Sequence, residues 1–239
     1  MTTTMPLIDH LEELRRRLFV CLATLALTVT AAMLKAEALI NWLKRPAGHR
    51  LPLLAFFSPM EALLAYVHVG VIAGLVAALP MILWQVWAFV KPALAPHERR
   101  WGLLVVLGGS GLFALGGAFA YLVALPLTLR VLLGIGEGTL LPMISVSRYL
   151  SFTTSILLAS GVVFELPLAI VFLAKLGLVT PEGLRRRWSM AILAMAILSA
   201  VLTPTTDAVT MLIMMGPMVV LYGLSILIAA RVHAPVSRR

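Results

Sequence analysis

Residues 149–174 read YLSFTTSILLASGVVFELPLAIVFLA, an apolar run carrying a single charge, Glu165. As a helix this run is long enough to cross the roughly 30 Å hydrocarbon core of a bilayer. It is continuous rather than alternating, which argues against the strand of a membrane barrel. An ionised carboxylate inside hydrocarbon costs roughly 2.5–3.5 kcal/mol even on insertion-based scales. The chain has only ten acidic residues in 239, so this one needs an explanation. Glu165 either lines a protein or water cavity, or it meets a cationic partner.

The rest of the chain has the same character. It is 61% hydrophobic and 12% charged, with a mean hydropathy of +1.02. These values place it among polytopic membrane proteins. One cysteine, Cys21, excludes an internal disulfide and a multi-cysteine metal site. The net charge of +9 fits basic loops at an anionic cytoplasmic leaflet better than it fits nucleic acid. No cleavable signal peptide is expected, because Asp9, Glu12 and Glu13 precede the first apolar run and no small-residue cleavage site ends it.

Six spans follow from hydropathy: Phe19–Leu34, Tyr66–Val90, Gly102–Leu125, Leu150–Ala174, Trp188–Leu202 and Ala208–Ala230. Before them, Leu7, Leu11, Leu14 and Leu18 recur at helical spacing and predict an amphipathic lead-in helix over residues 1–18. The chain reads as one integral-membrane domain over 1–239. Residues 19–230 form its six-helix bundle and 231–239 a cytoplasmic tail. Thirteen of the nineteen Lys and Arg fall in the N-tail, Lys91–Arg100, Lys175–Arg187 and the C-tail, so the positive-inside rule puts both termini in the cytoplasm. Trp84, Trp87, Trp101 and Trp188 lie near the same boundary, as an aromatic belt requires. The fifth span is short, roughly 22 Å at 1.5 Å per residue. With the turn Thr203–Asp207 after it, it forms a hairpin expected to thin the bilayer locally.

No enzymatic constellation emerges. Gly108-Gly109-Ser110-Gly111 matches the G-x-S-G of intramembrane serine proteases, but the only later histidine is His233 in the tail. Small-residue helix packing is the better reading there, as for Gly70-x-x-x-Gly74. His10-Leu11-Glu12-Glu13 lacks the spacing of zinc proteases, and the five histidines are dispersed. No cofactor or metal is expected. The acids say more. Glu13 and Glu98 could pair locally with Arg15–Arg17 and Arg99/Arg100, or they could receive guanidinium groups from outside. Asp207 could equally cap a helix or serve function.

Several stretches in order resemble the TatC family, the polytopic subunit of the twin-arginine protein translocase. They are His10–Arg15, Ser58–Glu61, Gln85–Leu94 running into His97–Arg100, Tyr149–Phe152, Phe164–Pro167, and Leu202–Pro204 followed by Asp207. The ordered set covers nearly the whole chain. The resemblance implies an all-α, glove-like concave bundle of six spans with the last two short. It implies a non-enzymatic receptor in the bacterial or archaeal cytoplasmic membrane. Such a receptor binds twin-arginine signal peptides of folded cargo and works with single-span TatA/TatB-type subunits, self-associating in a larger complex driven by the proton-motive force.

Carried over residue by residue, the family's signal-peptide-binding carboxylates match Glu13 and Glu98, with Arg15 and Phe89 at neighbouring family positions. Its intramembrane glutamate matches Glu165 and its hairpin aspartate Asp207. Met211 stands where the family often has glutamine, and Tyr222-Gly223 where it often has an acid. The rival reading from residues alone is a secondary transporter or proton pathway with Glu165 as its titrating site. Six unequal spans without a repeat fit that poorly.

Overall fold

A computed structural model of the chain describes residues 7–50, 54–93, 102–134, 143–175, 177–203 and 207–232. The helices are α1 (Leu7–Met33), α2 (Ala36–Lys44), α3 (Pro59–Val90), α4 (Gly102–Phe119), α5 (Leu125–Gly134), α6 (Val146–Phe164), α7 (Leu166–Lys175), α8 (Pro181–Arg186), α9 (Trp188–Leu202) and α10 (Ala208–Val232). A π-helical turn, Ala120–Ala124, joins α4 to α5. Among the described residues the one β-type contact is an isolated bridge between Ala55 and Ser145. Five stretches are long and apolar enough to cross a membrane: His10–Met33, Pro59–Val90, Gly102–Gly134, Val146–Lys175 and Ala208–Arg231. The sixth, Trp188–Leu202, is shorter, as its 15 residues require.

Three spans depart most from the hydropathy reading, each for a local reason. The second span begins at Pro59 rather than Tyr66. Ser58 caps it, accepting from the Glu61 backbone N–H at 3.3 Å, and Pro59 occupies the first turn, where a missing N–H does no harm. The third span continues past Leu125 to Gly134, because the π turn absorbs one irregular register without ending the helix. The fourth is broken at Glu165. Pro167 has no N–H to donate and its ring crowds the preceding turn. The Glu165 N–H therefore turns back to the Val162 carbonyl at 3.1 Å, while its own carbonyl accepts from Ala169 at 3.0 Å.

The chain divides into two compact units, one of Met1–Trp42 and Ser58–Gly111, the other of Leu43–Phe57 and Leu112–Arg239. In the first, α1 runs from Leu7 to Met33 without interruption and packs antiparallel to α3. Lipid supplies no hydrophobic drive between helices, so close approach and satisfied polar groups must hold them. Gly70 and Gly74 allow that approach: a Cβ on Gly74 would stand 2.5 Å from the Val29 Cα, and one on Gly70 2.5 Å from the Met33 Cγ. The packing role expected of this pair is the one it has. Thr24, Thr28 and Thr30 satisfy their hydroxyls within α1, each donating to a carbonyl one turn back.

The second unit is built around α6 and α10. Gly161 of α6 lies where a Cβ would meet the Phe113 ring at 2.6 Å, and Gly116 lies against the Ser160 carbonyl. Leu150, Ile156, Met218 and Leu125 are fully buried. Met218, Tyr222 and Ile226 of α10 share one apolar cluster with Val163, Phe164, Ile170 and Met195. Tyr149 donates to the Leu43 carbonyl at 3.0 Å, and Tyr222 to the Leu184 carbonyl at 3.1 Å. The α7 helix ends in a pair of bonds across Gly177 (φ 72°), Gly177 N–H to Ala174 and Leu178 N–H to Leu173, a left-handed termination that glycine adopts without strain.

Two expectations need correction. Trp87 is no member of an aromatic belt: it is 6% exposed, its indole filling the space where a side chain on Gly102 would sit. A residue one turn inside a helix end can pack inward as easily as it can face the headgroups, and only contacts decide. Of the run Gly108-Gly109-Ser110-Gly111, Gly109 is buried, whereas a Cβ on Gly108 or Gly111 would meet nothing within 4 Å among the described residues, so these two make no close packing contact there. Trp101 and residues 204–206 lie outside the described residues.

Candidate functional site on the α1–α3 face

Glu13 is on α1 at a position that also faces α3. Helical spacing puts His10, Glu13 and Arg17 on one stripe, and Gln85 and Phe89, one turn apart, on the facing stripe of α3. The His10 and Phe89 rings stack at 4.3 Å and 20°. Arg17 donates to Glu13 Oε1 through both Nε (3.1 Å) and Nη2, and through Nη1 to Gln85 Oε1 at 3.3 Å. The stripe is thus a bracket: a ring stack at one end and a guanidinium fork at the other, with the carboxylate between them. The Glu13 and Arg17 side chains are 24% and 22% exposed, neither buried nor free in solvent.

Local pairing, one of the two readings of Glu13, is realised, and its partner is Arg17. Arg15 points elsewhere, its guanidinium 5.7 Å from the Phe19 ring centroid and the residue exposed. Phe89 is half-buried in the stack with His10. Glu98, with Arg99 and Arg100, lies outside the described residues. The sequence names Arg17 only as one of three local partners open to Glu13, and it does not place His10 or Gln85 in this site. The signal was present in the i, i+3, i+7 spacing of 10, 13 and 17, and in Glu preceding Arg by four, the favourable order for a helical ion pair. What the spacing lacked was α3, which lies some seventy residues away in the chain and supplies Gln85 and Phe89.

Glu165 and Asp207 belong to the second unit. Among the described residues, Glu165 Oε1 is buried and has no hydrogen-bond partner. The helix break leaves this carboxyl at a point where the main chain is already irregular. Irregular backbone at membrane depth is tolerated where protein or water covers it. Asp207 caps α10: its Oδ1 accepts from the Thr210 N–H at 2.7 Å, and its carbonyl from Met211 at 3.3 Å. A cap of this kind contributes about 1 kcal/mol to its helix. Among the described residues, no group of three or more His, Cys, Asp or Glu side chains could hold a metal ion.

The family model for the Sec-independent protein translocase protein (TatC) matches residues 9–217. The Sec-independent protein translocase protein TatC of Deinococcus radiodurans is 38% identical over 239 residues, covering 96% of this chain and 88% of that one. Its counterpart in Aquifex aeolicus is 37% identical over 226 residues, 93% of each chain. The crystal structure of a twin arginine translocase receptor, TatC, superposes with a TM-score of 0.82 at 34% identity, covering 94% of this chain and all of that one.

Proposed function

The chain belongs to the TatC family of Sec-independent protein translocase proteins, and from that membership we propose that it is the receptor subunit of a twin-arginine translocase. It is a multi-pass membrane protein whose α1–α3 face binds the paired arginines of signal peptides on folded cargo. The observation that carries this reading is the part-exposed Glu13 carboxylate of α1, bonded to a guanidinium that also reaches Gln85 of α3. A site that already accepts one guanidinium fork has the shape and charge to accept another. Glu98 completes the pair of acids, on the strength of its place between α3 and α4 in the sequence. The excess of Lys and Arg in the tails and in two loops supports a cytoplasmic location for this face and both termini.

Binding of a synthetic twin-arginine signal peptide to the purified chain in anionic-lipid nanodiscs tests the proposal. Saturable binding is expected, falling at least tenfold when both arginines of the peptide become alanine, since charged hydrogen bonds contribute about 1.5–3 kcal/mol each. Equal affinity for the two peptides would refute it.

Glu165 takes a different role in this reading. Its buried Oε1, at a break in the fourth span, suits a polar contact with a single-span partner of the TatA/TatB type or with an inserted signal segment. Glu165→Gln is expected to export cargo like the parent, because the amide keeps the hydrogen-bonding capacity. Glu165→Leu is expected to cut export about tenfold or more, for want of that polar contact. Export rates in vesicles check this. Loss in both variants to the same degree would mean the charge itself is needed.

A further inference from the structure

Arg17 is the one residue of the bracket whose charge matches that of the proposed ligand. It neutralises Glu13 in the resting protein, both of its Glu13 contacts falling on Oε1, and Gln85 on α3 fixes its remaining arm. An incoming cation therefore meets an acid that is already paired. We propose that Arg17 is a specificity-determining competitor, an internal stand-in for the cargo arginine, which makes the Glu13 site select guanidinium over ammonium. The inference rests on the reading of Glu13 as a signal-binding acid and adds to it how that acid tells arginine from lysine.

The physical argument is one of exchange. A cargo guanidinium that takes over Oε1 replaces like with like: the same planar fork, the same number of donors, the same weak hydration. Arg17 then turns to Gln85 and solvent, which its partial exposure permits. A cargo ammonium has no fork with which to replace the lost contacts, and it gives up a tighter hydration shell. Arg17 repels both ligands alike through its charge, but only arginine recovers what it displaces. Selectivity here comes from what the wrong ligand must dislodge. Arg15 and Arg16 do not share the role, since Arg15 lies over Phe19 and both are exposed.

The test measures dissociation constants for two synthetic signal peptides, one carrying Arg-Arg and one Lys-Lys, against the full chain in nanodiscs at fixed salt. With Arg17→Gln, Glu13 offers its whole charge to either ligand, and the Lys-Lys peptide gains most because its attraction is purely coulombic. The ratio of the two constants is expected to fall up to about fivefold, corresponding to the roughly 1 kcal/mol at the upper end for a partly exposed ion pair. Binding of the Arg-Arg peptide is expected to tighten as well, by less than that of the Lys-Lys peptide. Arg17→Lys keeps the charge but loses the fork, and should narrow the ratio by about threefold. An unchanged ratio in both variants, or Arg17→Gln weakening both peptides alike, would overturn the proposal and leave Arg17 a brace. Glu13→Gln in the same assay separates the two levels. If it leaves Arg-Arg binding intact, the reading of Glu13 itself fails, whatever Arg17 does.

Discussion

A Glu13→Lys, Glu98→Lys double variant is expected to lose crosslinking to a twin-arginine signal peptide, with affinity falling a hundredfold or more. Each acid contributes a charge-assisted contact of about 1.5–3 kcal/mol, so neutralisation alone would remove about 3–6 kcal/mol. Reversal adds repulsion. The change should leave the fold standing, because Glu13 is only partly buried. A lysine in its place would sit four residues from Arg17, a helical spacing at which like charges cost a few tenths of a kcal/mol. The His10–Phe89 stack and the glycine contacts of α1 and α3 do not involve Glu13. Photocrosslinking from the peptide, with the protein level and its thermal midpoint measured alongside, decides the matter. Undiminished crosslinking in the double variant would remove both acids from the site.

Gly74→Val is expected to be the most damaging single substitution in the first unit. A Cβ there would stand 2.5 Å from the Val29 Cα and 2.6 Å from the Val29 backbone nitrogen, so no rotamer change can relieve it. The helices must separate. Overpacking typically costs about 1–3 kcal/mol, and a clash against backbone belongs at about 3 kcal/mol or above. Because α1 and α3 together hold Glu13, Arg17, Gln85 and Phe89, their separation should also dissolve the bracket and weaken peptide binding. Gly108→Val is the control, since among the described residues nothing lies within 4 Å of a Cβ at that position. Thermal unfolding in detergent should show a clear drop for the first and little change for the second. Equal midpoints would mean that the α1–α3 contact is softer than its geometry implies.

The contrast between these two glycines shows where sequence reading stops. Gly70-x-x-x-Gly74 and Gly108-Gly109-Ser110-Gly111 invite the same packing interpretation, yet a Cβ at Gly70 or Gly74 would strike α1 while one at Gly108 or Gly111 would meet open space. Trp87 makes the same point with an aromatic. Its place near a span end suggests a headgroup anchor, yet it is buried against Gly102. Which way a helix turns its face depends on what stands opposite, and a linear pattern does not contain that.

Solvent and scaffold were legible along the chain. Continuous apolar runs dictate spanning helices, because backbone groups in lipid must be satisfied within the segment. Fifteen residues dictate that Trp188–Leu202 is short. The ordered motifs from His10 to Asp207 pointed to the family and to Glu13, Glu165 and Asp207 as the residues to inspect. Their partners were a matter for the folded molecule. There Glu13 meets Arg17, which Gln85 holds from α3; Asp207 caps α10; and the fourth span breaks at Glu165 ahead of Pro167. The physical reason is one of range. Hydropathy and helical spacing act over neighbouring turns and can be read along the chain. Pairing across α1 and α3 depends on a close approach set by Gly70 and Gly74, and that exists only once the helices have met.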